Sequence, residues 1–207
     1  MKKWSVKKLV LTAILGGLAG VLMSLEFSLP FMPTFYKIDF SDVPSIIALF
    51  TMGPLSAACV EVIKIVVKIA TVGSYSFGIG ELANLIAIAL FIIPTWLIYK
   101  AMGKTKKAVV ASLFFGMLIR TGFACFVNAY ITLPLYARAM GMPVDSIVKM
   151  VASVNPSITD LRSFILFATI PFNLIKIAAN YGIGYFILVR LASARTDVNF
   201  YKPESAC

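Results

Sequence analysis

Asn173, Lys176 and Asn180 follow one another at steps of three and four inside an otherwise apolar run, Phe164–Leu191. That spacing puts all three side chains on one face of a helix. Two amides and an ammonium in one stripe make a hydrogen-bonding wall suited to carbonyls, ring nitrogens or hydroxyls. The competing role is interhelical bonding, because Asn amides also join neighbouring helices. A second apolar run, Val109–Tyr136, carries Arg120, Asn128 and Thr132, with Asn128 at a depth similar to Asn173. Asn84 stands one turn into a third run, Glu81–Met102. Amide and charged groups in a bilayer are costly, so each of these residues needs a ligand or a structural partner.

A polar wall needs a cover, and the segment Phe27–Pro44 offers one. It holds three prolines, five aromatic residues and three charged residues between two apolar runs. Rings with a few fixed polar groups suit a flat, partly polar small molecule. Thr34, Phe35, Tyr36, Asp39 and Phe40 are the candidate ligand-covering residues of this loop. The aromatic side chains equally fit an interfacial belt. Asp39 is placed to pair with Lys37 or to hold the loop closed. Asp42, before Val43-Pro44, reads as a helix cap.

Catalytic chemistry finds little support. The chain has no histidine, no Gly-rich Walker loop, no cysteine–base pair and few carboxylates. It is therefore read as a non-enzyme, and ATP hydrolysis cannot be assigned to it. Cys59, Cys125 and Cys207 have no metal-ligand or disulfide spacing and read as packing residues.

The composition explains where these polar groups must sit. Of 207 residues, 60% are hydrophobic and 14% charged, against roughly 25% charged in soluble domains. A spanning helix needs roughly 20 apolar residues. Six runs approach that length: 9–25, 43–52, 54–72, 81–102, 109–136 and 164–191, the second too short to cross alone. The expected fold is an all-α membrane protein, a six-transmembrane-helix bundle with an ordered outer loop between helices 1 and 2. Residues 1–207 read as a single integral membrane domain with a polar tail from 193.

The net charge of +10 does not imply nucleic acid. With six spans, eleven of the nineteen Lys and Arg residues fall on one side, four on the other and four within the spans. The positive-inside rule then predicts a multi-pass protein with both termini cytoplasmic. The long connections after spans one and five face outwards. Within the second, Asp145–Ser153 predicts a short amphipathic interfacial helix, ended by Asn155-Pro156.

Among the buried charges, Glu61 is the expected partner of Arg120. Lys64 shares the Glu61 face, and Lys68 is near enough to the outer end to snorkel. Glu81 favours the helix dipole of its first turn. In span one, Ala13 and Gly17, with Gly16 and Gly20, form two small-residue faces that admit a close helix. The same faces suit packing within the bundle or docking of a partner membrane protein.

Taken together, the first-helix small residues, Lys37-Ile-Asp-Phe-Ser-Asp-Val-Pro44, Gly53-Pro54, Asn128–Tyr136 and Pro171–Lys176 resemble the S components, or substrate-binding subunits, of energy-coupling factor (ECF) transporters. The riboflavin-specific members match best, over roughly Lys8 to Leu191. The resemblance implies a prokaryotic cell-membrane protein that binds riboflavin in its outer half. It would deliver riboflavin inwards while docked on a transmembrane coupling subunit and two ATPase subunits. It places Asn128, Asn173 and Lys176 on the flavin and the loop after helix one over it. The pyrimidine edge suits the Asn amides and Lys, and the ribityl hydroxyls suit Asn84. Riboflavin would be the transported ligand rather than a cofactor, and its phosphate FMN stays open. The family's docking motif is Ala-xxx-Ala, whereas here the face reads Ala13-xxx-Gly17. Other readings are an S component for another vitamin or precursor and a self-sufficient ion-coupled secondary transporter.

Overall fold

The computed structural model describes residues 4–30, 32, 36–74, 78–153 and 155–194. Thr34 and Phe35, two of the candidate loop residues, lie outside the described residues, as does the tail beyond 194. The chain runs as α1 (Val6–Ser24), β1 (Phe27–Ser28), β2 (Lys37–Ile38), α2 (Asp42–Met52), α3 (Pro54–Val72), α4 (Ile79–Ala101) and α5 (Lys106–Val127). A π-turn, Asn128–Thr132, carries α5 into α6 (Leu133–Met140). Then come α7 (Val144–Ala152), α8 (Leu161–Phe164), a second π-turn at Ile165–Thr169, and α9 (Ile170–Ala194).

Among the described residues, four helical stretches are long and apolar enough to cross a membrane: Val6–Ser24, Ile79–Ala101, Lys106–Met140 and Leu161–Ser193. Helix α3 has 19 residues, but Glu61, Lys64 and Lys68 interrupt its apolar character. Helix α2 has only 11 residues and rises about 16 Å at 1.5 Å per residue. Gly53, at φ 93°, ends α2 and begins α3, with Pro54 in the first turn where its missing N–H costs nothing. The predicted interfacial helix is α7, which buries Ile147, Val148 and Val151.

The core has two apolar clusters. One joins Ile46, Leu49 and Phe50 of α2 to Phe91, Val109, Ile177 and Leu188. The other joins Tyr36 and Ile38 of the α1–α2 connection to Leu133, Tyr136, Ile147, Phe164 and Phe172. Strands β1 and β2 pair antiparallel, Phe27 with Ile38 and Ser28 with Lys37. This small hairpin was not anticipated. Two residues per strand carry no legible alternation.

Between Ile38 and Ile46 the chain turns inwards on charge. Asp42 is not the expected cap. Its carboxylate is fully buried and takes Lys64 Nζ at 3.0 Å and Arg120 Nη1 at 2.7 Å. Arg120 therefore meets Asp42 rather than Glu61, which bonds Lys64 Nζ at 2.5 Å and accepts from Ser45 Oγ. Helix α2 starts deep enough for Asp42 to reach both cations, a placement that span lengths do not reveal. Lys68 is also buried rather than snorkelling, paired with Glu81 at 2.8 Å.

Helix α1 packs on α3, and this contact corrects half of the docking expectation. A Cβ at Gly16 would lie 2.7 Å from Ile63 Cβ, and one at Gly20 would lie 2.5 Å from Val67 Cβ. The small-residue face at Gly16 and Gly20 is occupied by α3, not offered to a partner. Gly17 has open space, and Ala13 is exposed.

Gly16→Ala and Gly20→Ala should each cost about 1–3 kcal/mol by overpacking, read as denaturant unfolding in detergent. Gly17→Ala should leave the unfolding free energy unchanged or raised. Asp42→Asn should cost about 3–5 kcal/mol, because it strands two buried cations. Adding Arg120→Met to that variant should restore part of the loss in the same measurement.

Candidate ligand-binding site

The sequence-derived polar residues meet around one cavity of about 360 Å³, within the roughly 300–1,000 Å³ usual for small-molecule sites. Its wall includes Tyr36, Asn84, Asn128, Phe172, Asn173 and Lys176, together with Asp39. Helix α4 brings Asn84 and α5 ends on Asn128. Helix α9 brings Phe172, Asn173 and Lys176, and the α1–α2 connection brings Tyr36 and Asp39.

The amides sit beside the two π-turns. Asn128 opens the first, and its Nδ2 donates to Ala124 O at 2.9 Å. Asn173 Nδ2 donates to the carbonyl of Thr169, last residue of the second, at 2.8 Å. Each amide is thus oriented by the carbonyl four residues back. Extra residues of this kind inside a helix often occur at functional sites. The two turns lie against each other.

Tyr36 ties them together. Its hydroxyl donates to Asn128 Oδ1 at 3.1 Å and shares a 2.8 Å hydrogen bond with Thr169 Oγ1. Its ring stacks on Phe172, with centroids 4.5 Å apart and planes 13° from parallel. One face of Tyr36 is therefore taken by the protein itself. Burial pushes the Tyr36 phenol well above its ordinary value, so it stays a neutral donor.

Asp39 makes the second tie. Its Oδ2 lies 2.8 Å from Lys176 Nζ, and its Oδ1 accepts from the backbone N–H of Ser41 at 2.9 Å and from Ser41 Oγ. Lys176 also approaches Lys37 O at 3.5 Å. Of the two expected roles for Asp39, holding the loop is the one the geometry takes, and Lys37 pairs instead with Glu26 at 2.8 Å. Burial is the strongest single influence and acts to raise the Asp39 carboxyl, but the charge and hydrogen bond of Lys176 together with the Lys64 ammonium hold the group below its ordinary value. A depressed carboxyl contributes its stabilisation above the unfolded value and loses it as pH falls through the lower folded one. The clasp is thus fully formed at neutral pH.

The three-residue stripe on α9 divides. Asn173 and Lys176 reach the cavity. Asn180 is fully buried and donates to Asp39 O and Lys176 O, both at 2.9 Å, so it braces the loop. Phe40 is not among the cavity-lining residues. Asp39 turns inwards to Lys176, and Phe40 O accepts from Val43 N–H at 3.2 Å at the start of α2.

Sequence reasoning missed Glu26 and Phe172. Glu26 lines the cavity and bonds both Lys37 and Lys68, the latter at 3.4 Å. A lone carboxylate between an apolar run and the aromatic segment was the signal available. Phe172 was legible in hindsight from its place four residues before Lys176 on the same helix face. No group of three or more acidic, cysteine or histidine side chains suited to a metal occurs among the described residues.

Comparison with known proteins gives this geometry a context. The chain is 37% identical over 174 residues to the riboflavin transporter FmnP of Bacillus subtilis (strain 168), covering 83% of this chain and 84% of that protein. It is 31% identical to the riboflavin transporter RibU of Staphylococcus aureus (strain TCH60), covering 82% of each. Its fold matches a solved structure of the S component of a bacterial ECF transporter. That match has a TM-score of 0.70 and 28% identity, and it covers 91% of this chain and 96% of the other. These relatives are transporter components and not enzymes. The model of the family "ECF transporter, substrate-specific component" matches residues 7–188, and the chain belongs to that family.

Proposed function

We propose that this chain is the riboflavin-binding S component of an ECF transporter, taking up the vitamin at its outer face and delivering it inwards. The observation that carries the reading is the meeting of Asn128, Asn173 and Lys176 with Tyr36 and Asp39 around one cavity. An isoalloxazine ring is flat, with an apolar dimethyl edge and a pyrimidine edge of carbonyls and nitrogens. The amides and the ammonium suit the pyrimidine edge, and Asn84 suits the ribityl hydroxyls. Exclusion of water strengthens each of these bonds. The relatives named as riboflavin transporters support the same ligand.

In this reading residues 1–207 form one membrane domain with six crossings, α2 and α3 being the short or charged ones. The basic residues around the start of α1, around the α4–α5 connection and around the end of α9 support cytoplasmic termini in a prokaryotic cell. The loop between α1 and α2 is the outer cover. The open face of α1 at Ala13 and Gly17 docks on a transmembrane coupling subunit, which two ATPase subunits drive. Riboflavin is cargo and not a cofactor, and FMN is a second candidate cargo.

Fluorescence titration of the purified protein should show saturable quenching of riboflavin. Asn173→Ala and Lys176→Gln should each weaken binding by about 1–3 kcal/mol, about 5- to 150-fold, in protein whose unfolding transition remains cooperative. Absence of saturable quenching in the unsubstituted protein rejects riboflavin as the ligand. In membrane vesicles, Gly17→Leu should reduce ATP-driven uptake while leaving riboflavin affinity unchanged.

A further inference from the structure

Four cationic side chains line the cavity, yet each lies against a carboxylate. Lys37 pairs with Glu26, Lys68 with Glu81 and Glu26, Arg120 with Asp42, and Lys176 with Asp39. Lys64 behind the wall is held by Asp42 and Glu61. Among the described residues these ion pairs thus join five cations to five carboxylates, equal in formal charge. The chain as a whole carries +10. Its surplus cations lie elsewhere, and the neutrality belongs to the site.

Lys176 is the member of this set that shares a helix face with Asn173. It is 8% exposed, and its partner Asp39 is 2% exposed. Water screens such a pair little, so the field at the cavity wall depends strongly on whether Asp39 is present. The carboxylate is held in place on both sides, by Ser41 on one oxygen and Lys176 on the other, while Asn180 holds its backbone. Its geometry does not depend on a ligand for support.

We propose that Asp39 is a specificity-determining residue: by neutralising the Lys176 ammonium it makes this wall accept an uncharged hydrogen-bonding edge and refuse an anionic one. Asp39 acts through Lys176 and is therefore a positioning residue for ligand selection. The inference rests on the reading that the flavin pyrimidine edge faces Asn173 and Lys176. That edge carries an N3–H between two carbonyls. In alkaline solution the proton leaves to solvent and the ring becomes an anion with an altered absorption spectrum. An unneutralised ammonium would favour the anion, whereas a neutralised one does not. The ionisable groups around the pair are Asp42 of α2, Lys64 of α3, Arg120 of α5 and Tyr36 and Lys37 of the connection. Asp42, Lys64 and Arg120 are engaged with one another, and Lys37 with Glu26.

The test is an absorbance pH titration of riboflavin bound to the purified full-length protein. In the unsubstituted protein, bound riboflavin should lose its N3 proton at a pH no lower than free riboflavin does. In Asp39→Asn the transition should move down by about one pH unit or more. In Asp39→Asn with Lys176→Gln it should return to the unsubstituted position. An Asp39→Asn profile that superimposes on the unsubstituted one, whatever its affinity, overturns the proposal. So does a bound transition already below that of free riboflavin in the unsubstituted protein, a measurement that stands even where Asp39→Asn does not fold. Riboflavin that fails to bind the unsubstituted protein overturns both this inference and the proposed function. Binding with the wrong profile overturns this inference alone.

Discussion

Two carboxylates three residues apart, Asp39 and Asp42, organise the polar interior. Asp39 holds Lys176 of α9, while Asp42 holds Lys64 of α3 and Arg120 of α5. Each cation would be strongly disfavoured in an apolar interior without its partner. The short segment that carries both acids therefore cannot shift without exposing charges on three helices. This fixes the start of α2 and, with it, the end of the α1–α2 connection. The wall residues of the cavity inherit their positions from that anchorage.

The cover and the wall are joined at two levels. Tyr36 bonds the two π-turns and stacks on Phe172. Asp39 bonds the lysine that lies on the wall. A movement of the connection away from the helices would break a neutral hydrogen-bond pair and a buried ion pair together. It would also leave Lys176 without its carboxylate inside the cavity. Cover position and wall electrostatics are consequently one variable. Farther out, Glu26 spans Lys37 of β2 and Lys68 of α3, which ties the hairpin to the bundle at the mouth.

Much of the site was legible because steps of three and four on a helix are a local property. Asn173 and Lys176 had to share a face wherever α9 lay. Their apolar neighbours required the polar pair to face protein or ligand rather than lipid. The aromatic content of Phe27–Pro44 singled out the connection that brings Tyr36 and Asp39 to the cavity wall, although of its described aromatic residues only Tyr36 lines the cavity. The failures came where a side chain was judged without knowing its partner's depth. Asp42 was read as a cap because it precedes a proline-containing helix start, yet its carboxylate points to two buried cations. Glu61 was matched to Arg120 by depth along separate spans, but Lys64, one turn away on its own helix, was nearer. Gly16 and Gly20 shared the small-residue signature of Ala13 and Gly17. Only the placement of α3 against α1 separated the two faces.

The amino-acid sequence by itself determined a membrane protein, the approximate limits of its apolar helices, an amphipathic segment at 145–153 and a polar stripe on its last long helix. These follow from composition and periodicity, which are set over a few neighbouring residues. Tertiary structure alone decided that Asp39 meets Lys176, 137 residues away, and that Tyr36 bridges two π-turns. It also decided that each cation of the wall lies against a carboxylate, Glu26 serving Lys37 and Lys68 together. Such pairings depend on the relative rotation and depth of helices far apart in the chain, and in an apolar interior a charge takes whichever opposite charge lies within reach.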